Sequence, residues 1–370
     1  MRILHWAFPF HLGRGGQSIW IERIAIESAH RGHNVAIMAG KTAEFSKMRS
    51  LFGDLVKTLQ VDIESTEGVK PDTKKTAQVA DVIENFEPDI IHIHNLESRE
   101  LVYLRLYQAT QGKSIPAICT LHDLVSVKRL QRTLLMTGEI GSISAVVSPS
   151  KFIESQFDSL TPAQRDKFRM IYHGVPTNLS RKVDVSGPPK LLFASDLHDH
   201  KGGIILLSAW KKLHQKFPAV TLIIAGDGRA KSFLEKYAQS SRLDAQVDFR
   251  GWLNQEELRS ILNQDCILVV PSLLGEAFGL IAAEASMIGA SLIVSRSGAL
   301  PEIVLPEKSG LVVTPGDSIE LADAIERLLT NPSLRLSLGR AARERAEILF
   351  SLPESVLAYE QLYEEVTNRP

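Results

Sequence analysis

The clearest chemical signal in the chain is a pair of glutamates set in apolar surroundings. Glu276 and Glu284 lie in Glu276-Ala277-Phe278-Gly279-Leu280-Ile281-Ala282-Ala283-Glu284-Ala285, following Pro271-Ser272. Such a segment should be buried, and a buried carboxylate needs partners. A polyhydroxylated ligand supplies many. A glycosidase dyad would need carboxyls about 5–5.5 Å apart. Eight helical residues rise about 12 Å, too far for that dyad on one straight helix. The pair therefore reads as two acceptors for hydroxyl groups, one at a helix entrance and one two turns in. Gly279 would bare the amides at the helix start to an anion. The plainer alternative is one first-turn glutamate favoured by the helix dipole and one held in a salt bridge.

Three other loops carry groups of the same kind. Gly13-Arg14-Gly15-Gly16 follows an apolar run and precedes a helical pattern, where free amides suit a phosphate. Its spacing fails the dinucleotide fingerprint: Ser18 stands where the last glycine belongs, and no acidic residue closes the second strand. A nicotinamide-dependent enzyme is disfavoured on that ground, and the absence of G-x-x-x-x-G-K-[ST] excludes a P-loop. In His198-Asp199-His200-Lys201-Gly202-Gly203 a lysine at a glycine-rich helix start can neutralise a phosphate. Finally, His92-Ile93-His94-Asn95 and Thr120-Leu121-His122-Asp123 end two further runs. An imidazole there can donate to or accept from a sugar hydroxyl. His92 reads as a buried, hydrogen-bonded histidine and His122 as a functional one. A metal would need a third ligand such as Asp123, and no compact ligand spacing frames one; no metal is expected.

These loops need elements to hold them. Apolar runs at residues 3–8, 35–39, 89–93, 117–121, 145–148, 170–172, 191–194, 221–225, 247–249, 267–270 and 292–294 alternate with helical spacing. Helices are expected at about 17–31, 203–216, 230–241, 255–263, 279–288, 318–330, 332–347 and 353–367. Near-continuous apolar strands between helices predict parallel sheets covered on both faces. Residues 176–190, polar and rich in proline, read as a linker between two such domains. In doubly wound sheets ligands sit at the carboxyl ends of the strands, so a cleft between the two domains is the expected site.

Composition narrows the function classes. The 370 residues are 44% hydrophobic, and 42 basic against 43 acidic residues give a net charge of −1. That balance offers no case for a nucleic-acid partner. Cys119 and Cys266 lie far apart inside apolar runs, as buried thiols of a reducing compartment would. No apolar run reaches the roughly 18 residues of a membrane span and the start has no signal-peptide pattern, so a soluble cytoplasmic protein is expected. The mixed basic and apolar stretch 124–136 reads as an ordinary surface helix, with an acceptor-side lip or an interfacial helix on anionic lipid as the alternatives.

Taken together, the chain resembles the retaining glycosyltransferases of glycosyltransferase family 4, which have the GT-B fold of two Rossmann-like domains. The resemblance is densest over 191–329. It is carried by the Glu276–Glu284 segment with Phe278-Gly279, by Gly226-Asp227-Gly228, Phe249-Arg250-Gly251, Gly298-Ala299-Leu300-Pro301-Glu302 and Gly310-Leu311-Val312-Val313, and near the start by Gly15-Gly16 and Arg31-Gly32-His33-Asn34-Val35. It implies an N-terminal acceptor-binding domain (1–178), a C-terminal nucleotide-sugar-binding domain (190–350) and a last helix (353–370) crossing back to the first. It also implies roles. Glu276 would hold the donor sugar's hydroxyls and Glu284 the ribose. Lys201, the Gly279-Leu280 amides and Gly15-Gly16 would cradle the diphosphate, beside Phe278. Backbone near Arg250-Gly251-Trp252 would frame the base. His122 would face the reacting sugar, with His94 and Asp123 on the acceptor side, and Glu276, His122 and Lys201 are the catalytic candidates.

The chain departs from the family pattern at two places. Asp196 stands where the family usually has arginine, five residues before the lysine, with Arg14 or Arg229 as candidate substitutes. His173-Gly174-Val175 stands where the family usually has Asn-Gly-Val. The implied function is transfer of a hexose from a nucleotide-diphosphate sugar to a saccharide or lipid-linked saccharide, in cell-surface polysaccharide or glycolipid synthesis, with no cofactor. The enzyme would be cytoplasmic, with peripheral contact to the inner face of the membrane left open. Asp196 motivates the alternative of an inactive nucleotide-sugar-binding protein of the same fold.

Overall fold

Residues 3–7, 35–40 and 90–94 are buried without interruption, including the two histidines of Ile90-Ile91-His92-Ile93-His94. A strand buried on both faces cannot alternate with polar residues, and it must be covered by helices on each side. The computed structural model builds this arrangement twice. It describes the chain except residues 8–9, 11, 41–44, 63–72, 96–103, 105–106, 109–113, 138–142, 180–186 and 369–370.

The chain divides into two compact units, Met1–Gly174 with Leu352–Pro370, and Val175–Ser351. In the first, β1 (Arg2–Ala7), α1 (Gly16–His30), β2 (Asn34–Gly40), α2 (Phe45–Phe52), β3 (Val56–Val61), α3 (Thr73–Phe86), β4 (Ile90–His94), β5 (Ala117–Thr120), α4 (Leu124–Thr137), β6 (Ala145–Ser148), α5 (Lys151–Ser155), α6 (Pro162–Arg165) and β7 (Phe168–Met170) follow one another. The seven strands pair in parallel in the order β3-β2-β1-β4-β5-β6-β7. Strand order reverses between β1 and β4, the place where doubly wound sheets open a crevice.

In the second unit, β8 (Lys190–Ala194), a 3-10 turn (Asp199–Lys201), α7 (Gly203–Leu213), β9 (Leu222–Ala225), α8 (Lys231–Ser240), β10 (Val247–Gly251), α9 (Gln255–Leu262), β11 (Cys266–Val270), α10 (Leu280–Ile288), β12 (Ser291–Ser295), α11 (Leu300–Ile303), β13 (Leu311–Val313), α12 (Ser318–Thr330) and α13 (Pro332–Leu349) follow. Its six parallel strands run β10-β9-β8-β11-β12-β13, with the reversal between β8 and β11. The last helix, α14 (Leu352–Thr367), belongs to the first unit. There Val356, Tyr359, Leu362, Tyr363 and Val366 join the core formed by Ile3, Trp20, Ile21 and Ile37. Glu360 of the same helix accepts from Arg31 Nε at 2.7 Å and lies 2.9 Å from His33 Nε2, fastening α14 to the end of α1.

Two strands were not anticipated. β3, an edge strand, is buried only at its two ends, Val56 and Val61, and β13 has only three residues. The run expected at 170–172 is a strand at Phe168–Met170. Part of the expected linker, 180–186, lies outside the described residues. Both cysteines are free and buried. Among the described residues no helix is long and apolar enough to cross a membrane.

Candidate active site

In the second unit the chemical groups gather on either side of the strand reversal. Lys201 comes from the turn after β8, and Ser272 and Glu276 from the loop after β11. Lys201 Nζ donates to Glu276 Oε1 at 2.7 Å, and Ser272 Oγ donates to the same oxygen at 2.6 Å. The Lys201 and Glu276 side chains are 22% and 16% exposed, open enough to meet a ligand. Backbone fixes both loops. Leu273 N donates to His200 O at 2.7 Å, Ser295 Oγ to Ser272 O at 2.6 Å, and Ala299 N to Glu276 O at 2.8 Å.

Two glycines are demanded by this crowding. Gly298 (φ 58°) lies against the backbone of Glu276, and Gly202 (φ 77°) against the carbonyl of Pro271; a methyl group at either would overlap those atoms. Both backbones also sit in the left-handed region that side chains disfavour. Sequence reasoning had no means of seeing these approaches, because they cross between loops.

Glu276 lies in the loop ahead of the helix. Gly279 caps α10 and Leu280 is its first residue, so Glu284 is one turn in and 3% exposed. Phe278 is buried and packs edge-on to Phe350, with ring centroids 5.6 Å apart; its visible part is to seat the loop. Arg250 is exposed and donates to Asp248 at 2.7 Å, while Gly251 O accepts from Gly226 N at 2.6 Å. Trp252, the next residue, is half-buried. Asp196 is exposed, and Arg229, also exposed, pairs with Asp199 at 3.3 Å. The Asp196 carboxylate thus has solvent available to it. Burial and the Lys201 charge together lower the pKa of His200.

In the first unit a row of histidines crosses the sheet's carboxyl edge. His5 of β1 is opposite His92 of β4, and His94 lies two residues on. His92 is fully buried between Tyr363 OH and Thr120 Oγ1, each 2.7 Å away, matching its reading as a structural histidine. His94, at 1% exposure, is bonded to His5 (2.9 Å) and His122 (3.0 Å). It therefore stands behind His122 and has no ring nitrogen left for a ligand. His122 is bonded in turn to His173 at 3.1 Å. The ring nitrogens of His5, His92 and His94 lie within 4.8 Å of one another, a spacing a metal could span, with the third ligand from His5 and not from Asp123. Both ring nitrogens of His92 and of His94, and Nδ1 of His5, are engaged in hydrogen bonds.

Asn95 organises the loops around this row. Its left-handed backbone (φ 68°) turns the side chain back, so that Oδ1 accepts from His122 N at 2.6 Å. Its Nδ2 donates to Asp123 Oδ2 at 2.7 Å and to Gln17 Oε1 at 2.8 Å. Asp123 Oδ1 accepts from Ser126 N at 2.7 Å in the first turn of α4. Asn95, Gln17, His5 and His173 were absent from the predicted site. Only His173 had left a signal, as a departure from a pattern. Gly15 (φ 73°) caps α1, and the space above it is open.

Burial pushes the His5 and His122 pKa values down to about 3. His92, His94 and His173 are held well below their ordinary value by burial first and by neighbouring histidines second. All five are neutral at physiological pH.

Comparison with known proteins decides what these loops belong to. Residues 14–179 match the family described as Glycosyltransferase Family 4, and residues 177–345 match Glycosyl transferases group 1. A glycogen synthase of Mycobacterium tuberculosis is 33% identical over 291 residues, covering 75% of this chain and 69% of its own. The chain belongs to glycosyltransferase family 4. It is a glycosyltransferase of the GT-B class, with two Rossmann-like domains, each built on a parallel sheet. The sucrose-phosphate synthase of Thermosynechococcus elongatus shares its fold at 23% identity and a TM-score of 0.79, with 98% of each chain covered. HepE of Anabaena, solved in complex with UDP and glucose, does so at 20% identity and a TM-score of 0.79 over the full length of both chains.

Proposed function

We propose that this glycosyltransferase moves a sugar from a nucleoside-diphosphate donor to an acceptor hydroxyl with retention of anomeric configuration. The observation that carries the reading is the convergence of Lys201, Ser272 and Glu276 at the strand reversal of the second unit. It puts one cation beside hydroxyl-binding acceptors, the pairing that a diphosphate sugar needs. Lys201 would neutralise the charge that develops as the bond from the anomeric carbon to the diphosphate breaks. The acceptor oxygen would bond to that carbon on the same face, its proton passing to the departing diphosphate. Glu276 would hold the sugar's hydroxyls, Glu284 the ribose, and the Gly279-Leu280 amides and Gly15-Gly16 the phosphates, with Arg250-Gly251-Trp252 beside the base. His122 and Asp123 would serve the acceptor. No metal or other cofactor enters this scheme.

A saccharide or lipid-linked saccharide is the proposed acceptor, in cytoplasmic assembly of cell-surface polysaccharide or glycolipid. Val125, Lys128 and Arg132 of α4 are exposed, which suits a peripheral contact with an anionic membrane. HepE, solved with UDP and glucose, makes UDP-glucose the first donor to try. The test is a panel of UDP-, GDP- and ADP-sugars offered with simple glycoside and lipid acceptors. One donor is expected to release its nucleoside diphosphate in step with product, and the product's anomeric centre should match the donor's by NMR. An inverted product would overturn the retaining assignment. Tight binding with no release from any donor would favour the inactive alternative.

A further inference from the structure

The main chain of Glu276 is pinned, but its side chain is long. The carbonyl accepts from Ala299 N at 2.8 Å, and Gly298 packs against the backbone. A glutamate still turns about several bonds beyond that point, and few side chains lose more rotamer freedom on being fixed. A carboxylate that must meet a ligand hydroxyl in one geometry therefore needs a group to hold its plane. One edge is held. Lys201 Nζ and Ser272 Oγ both donate to Oε1, at 2.7 and 2.6 Å, and among the described residues Oε2 takes no hydrogen bond.

The two donors differ in how firmly they are held themselves. Lys201 Nζ ends a flexible four-carbon stem, and the side chain is 22% exposed. It is a cation that a nearby diphosphate would attract. An ammonium also has three N–H groups to share, so its bond to Glu276 is one of several that it can make.

Ser272 has none of this freedom. It is 1% exposed and its hydroxyl stands on a single carbon. Its carbonyl accepts from Ser295 Oγ at 2.6 Å, and Ser295 is the buried last residue of β12. On one side of it, Leu273 N donates to His200 O at 2.7 Å; on the other, the Pro271 carbonyl lies against Gly202. The hydroxyl is thus carried on backbone fastened both to β12 and to the turn after β8. Toward Glu276 it can only donate, because a carboxylate has no proton to give.

We propose that Ser272 is a positioning residue for the donor sugar: its buried hydroxyl fixes Oε1 of Glu276 and so presents Oε2 to the sugar's hydroxyls, wherever Lys201 Nζ lies between the carboxylate and the diphosphate. This deepens the reading of Glu276 as the group that holds the sugar, and rests on it. Two consequences separate it from a purely structural role. Ser272 serves recognition of the sugar and not of the nucleotide. It also acts only through Glu276, so in the absence of that carboxylate its hydroxyl contributes nothing to transfer.

The test combines initial rates with the nucleotide sugar chosen by the donor panel and calorimetric titration with its free nucleoside diphosphate, on the full chain. In Ser272→Ala, kcat/KM should fall about 10- to 100-fold, the loss expected for a hydrogen bond to a charged group. Affinity for the free nucleoside diphosphate should stay within about twofold of wild type. Added to Glu276→Ala, Ser272→Ala should lower kcat/KM by less than about twofold more, because the two changes remove one interaction. If Ser272→Ala fails to fold, Ser272→Cys takes its place; its thiol is a weak donor of similar size, and the same split is expected. A Ser272 variant that transfers as fast as wild type would overturn the proposal. So would a loss of nucleotide affinity matching the loss in kcat/KM, or a full further loss in the Glu276→Ala background. In each of those cases the wild type still turns over its donor and the proposed function stands. A wild type that releases nucleotide from no donor would overturn both.

Discussion

Glu276→Gln lowers kcat/KM for transfer by about 10²–10³-fold while leaving the fold intact. The size follows from what the carboxylate does. It takes hydrogen bonds from Lys201 Nζ and Ser272 Oγ on one oxygen, in a loop clamped by Leu273, Ala299 and Gly298. Losing one preorganised electrostatic group in a catalytic site costs roughly that factor. Lys201→Ala should cost a similar factor, because the ammonium is the cation placed to meet a leaving diphosphate. The two residues act as a unit, so the double variant should fall little below the worse single one. Melting temperatures should move by only about 2–4 °C, since a partly exposed ion pair contributes at most about 1 kcal/mol. Initial rates with the donor chosen from the panel give the answer. Unchanged turnover in Glu276→Gln would refute its role, and full additivity would mean that the pair is incidental.

The second large effect is acid lability confined to the first unit. His5 and His122 have folded-state pKa values of about 3, against an ordinary 6.5, and His92, His94 and His173 are shifted the same way. A group whose folded pKa is depressed binds more protons when unfolded. Stability is therefore whole above pH 6.5 and drains as pH falls toward 3. All five histidines draw on the stability of this one unit in the same direction, and a typical domain holds only about 5–15 kcal/mol in all. The unit should lose its amide-exchange protection near pH 5, well above the carboxylate range, while the core around Trp210 and Leu268 keeps its own. Protection of β1 and β4 unchanged at pH 4 would show that the histidines titrate normally.

Much of this was legible in the residues. Buried parallel strands announce themselves as unbroken apolar runs, and most strands of both sheets were placed from them. β3, Val56-Lys57-Thr58-Leu59-Gln60-Val61, escaped because this edge strand is buried only at its ends and carries polar residues between them. The loops after β8 and β11 were found from Lys201 and Glu276, but their mutual bond was not. It joins residues 75 apart in sequence and depends on β8 lying next to β11. The histidine row was hidden for the same reason. His5 sits inside an apolar run, and only the placement of β1 beside β4 brings it to His94. Asn95 became visible as a hub only through its left-handed backbone.

A crystal structure of the protein with the nucleoside diphosphate selected by the donor panel tests the central claim most directly. The account predicts the diphosphate against Lys201 Nζ and the Gly279-Leu280 amides, with the ribose hydroxyls on Glu284. A nucleotide bound away from the carboxyl ends of β8 and β11, with the Lys201–Glu276 pair undisturbed, would contradict it.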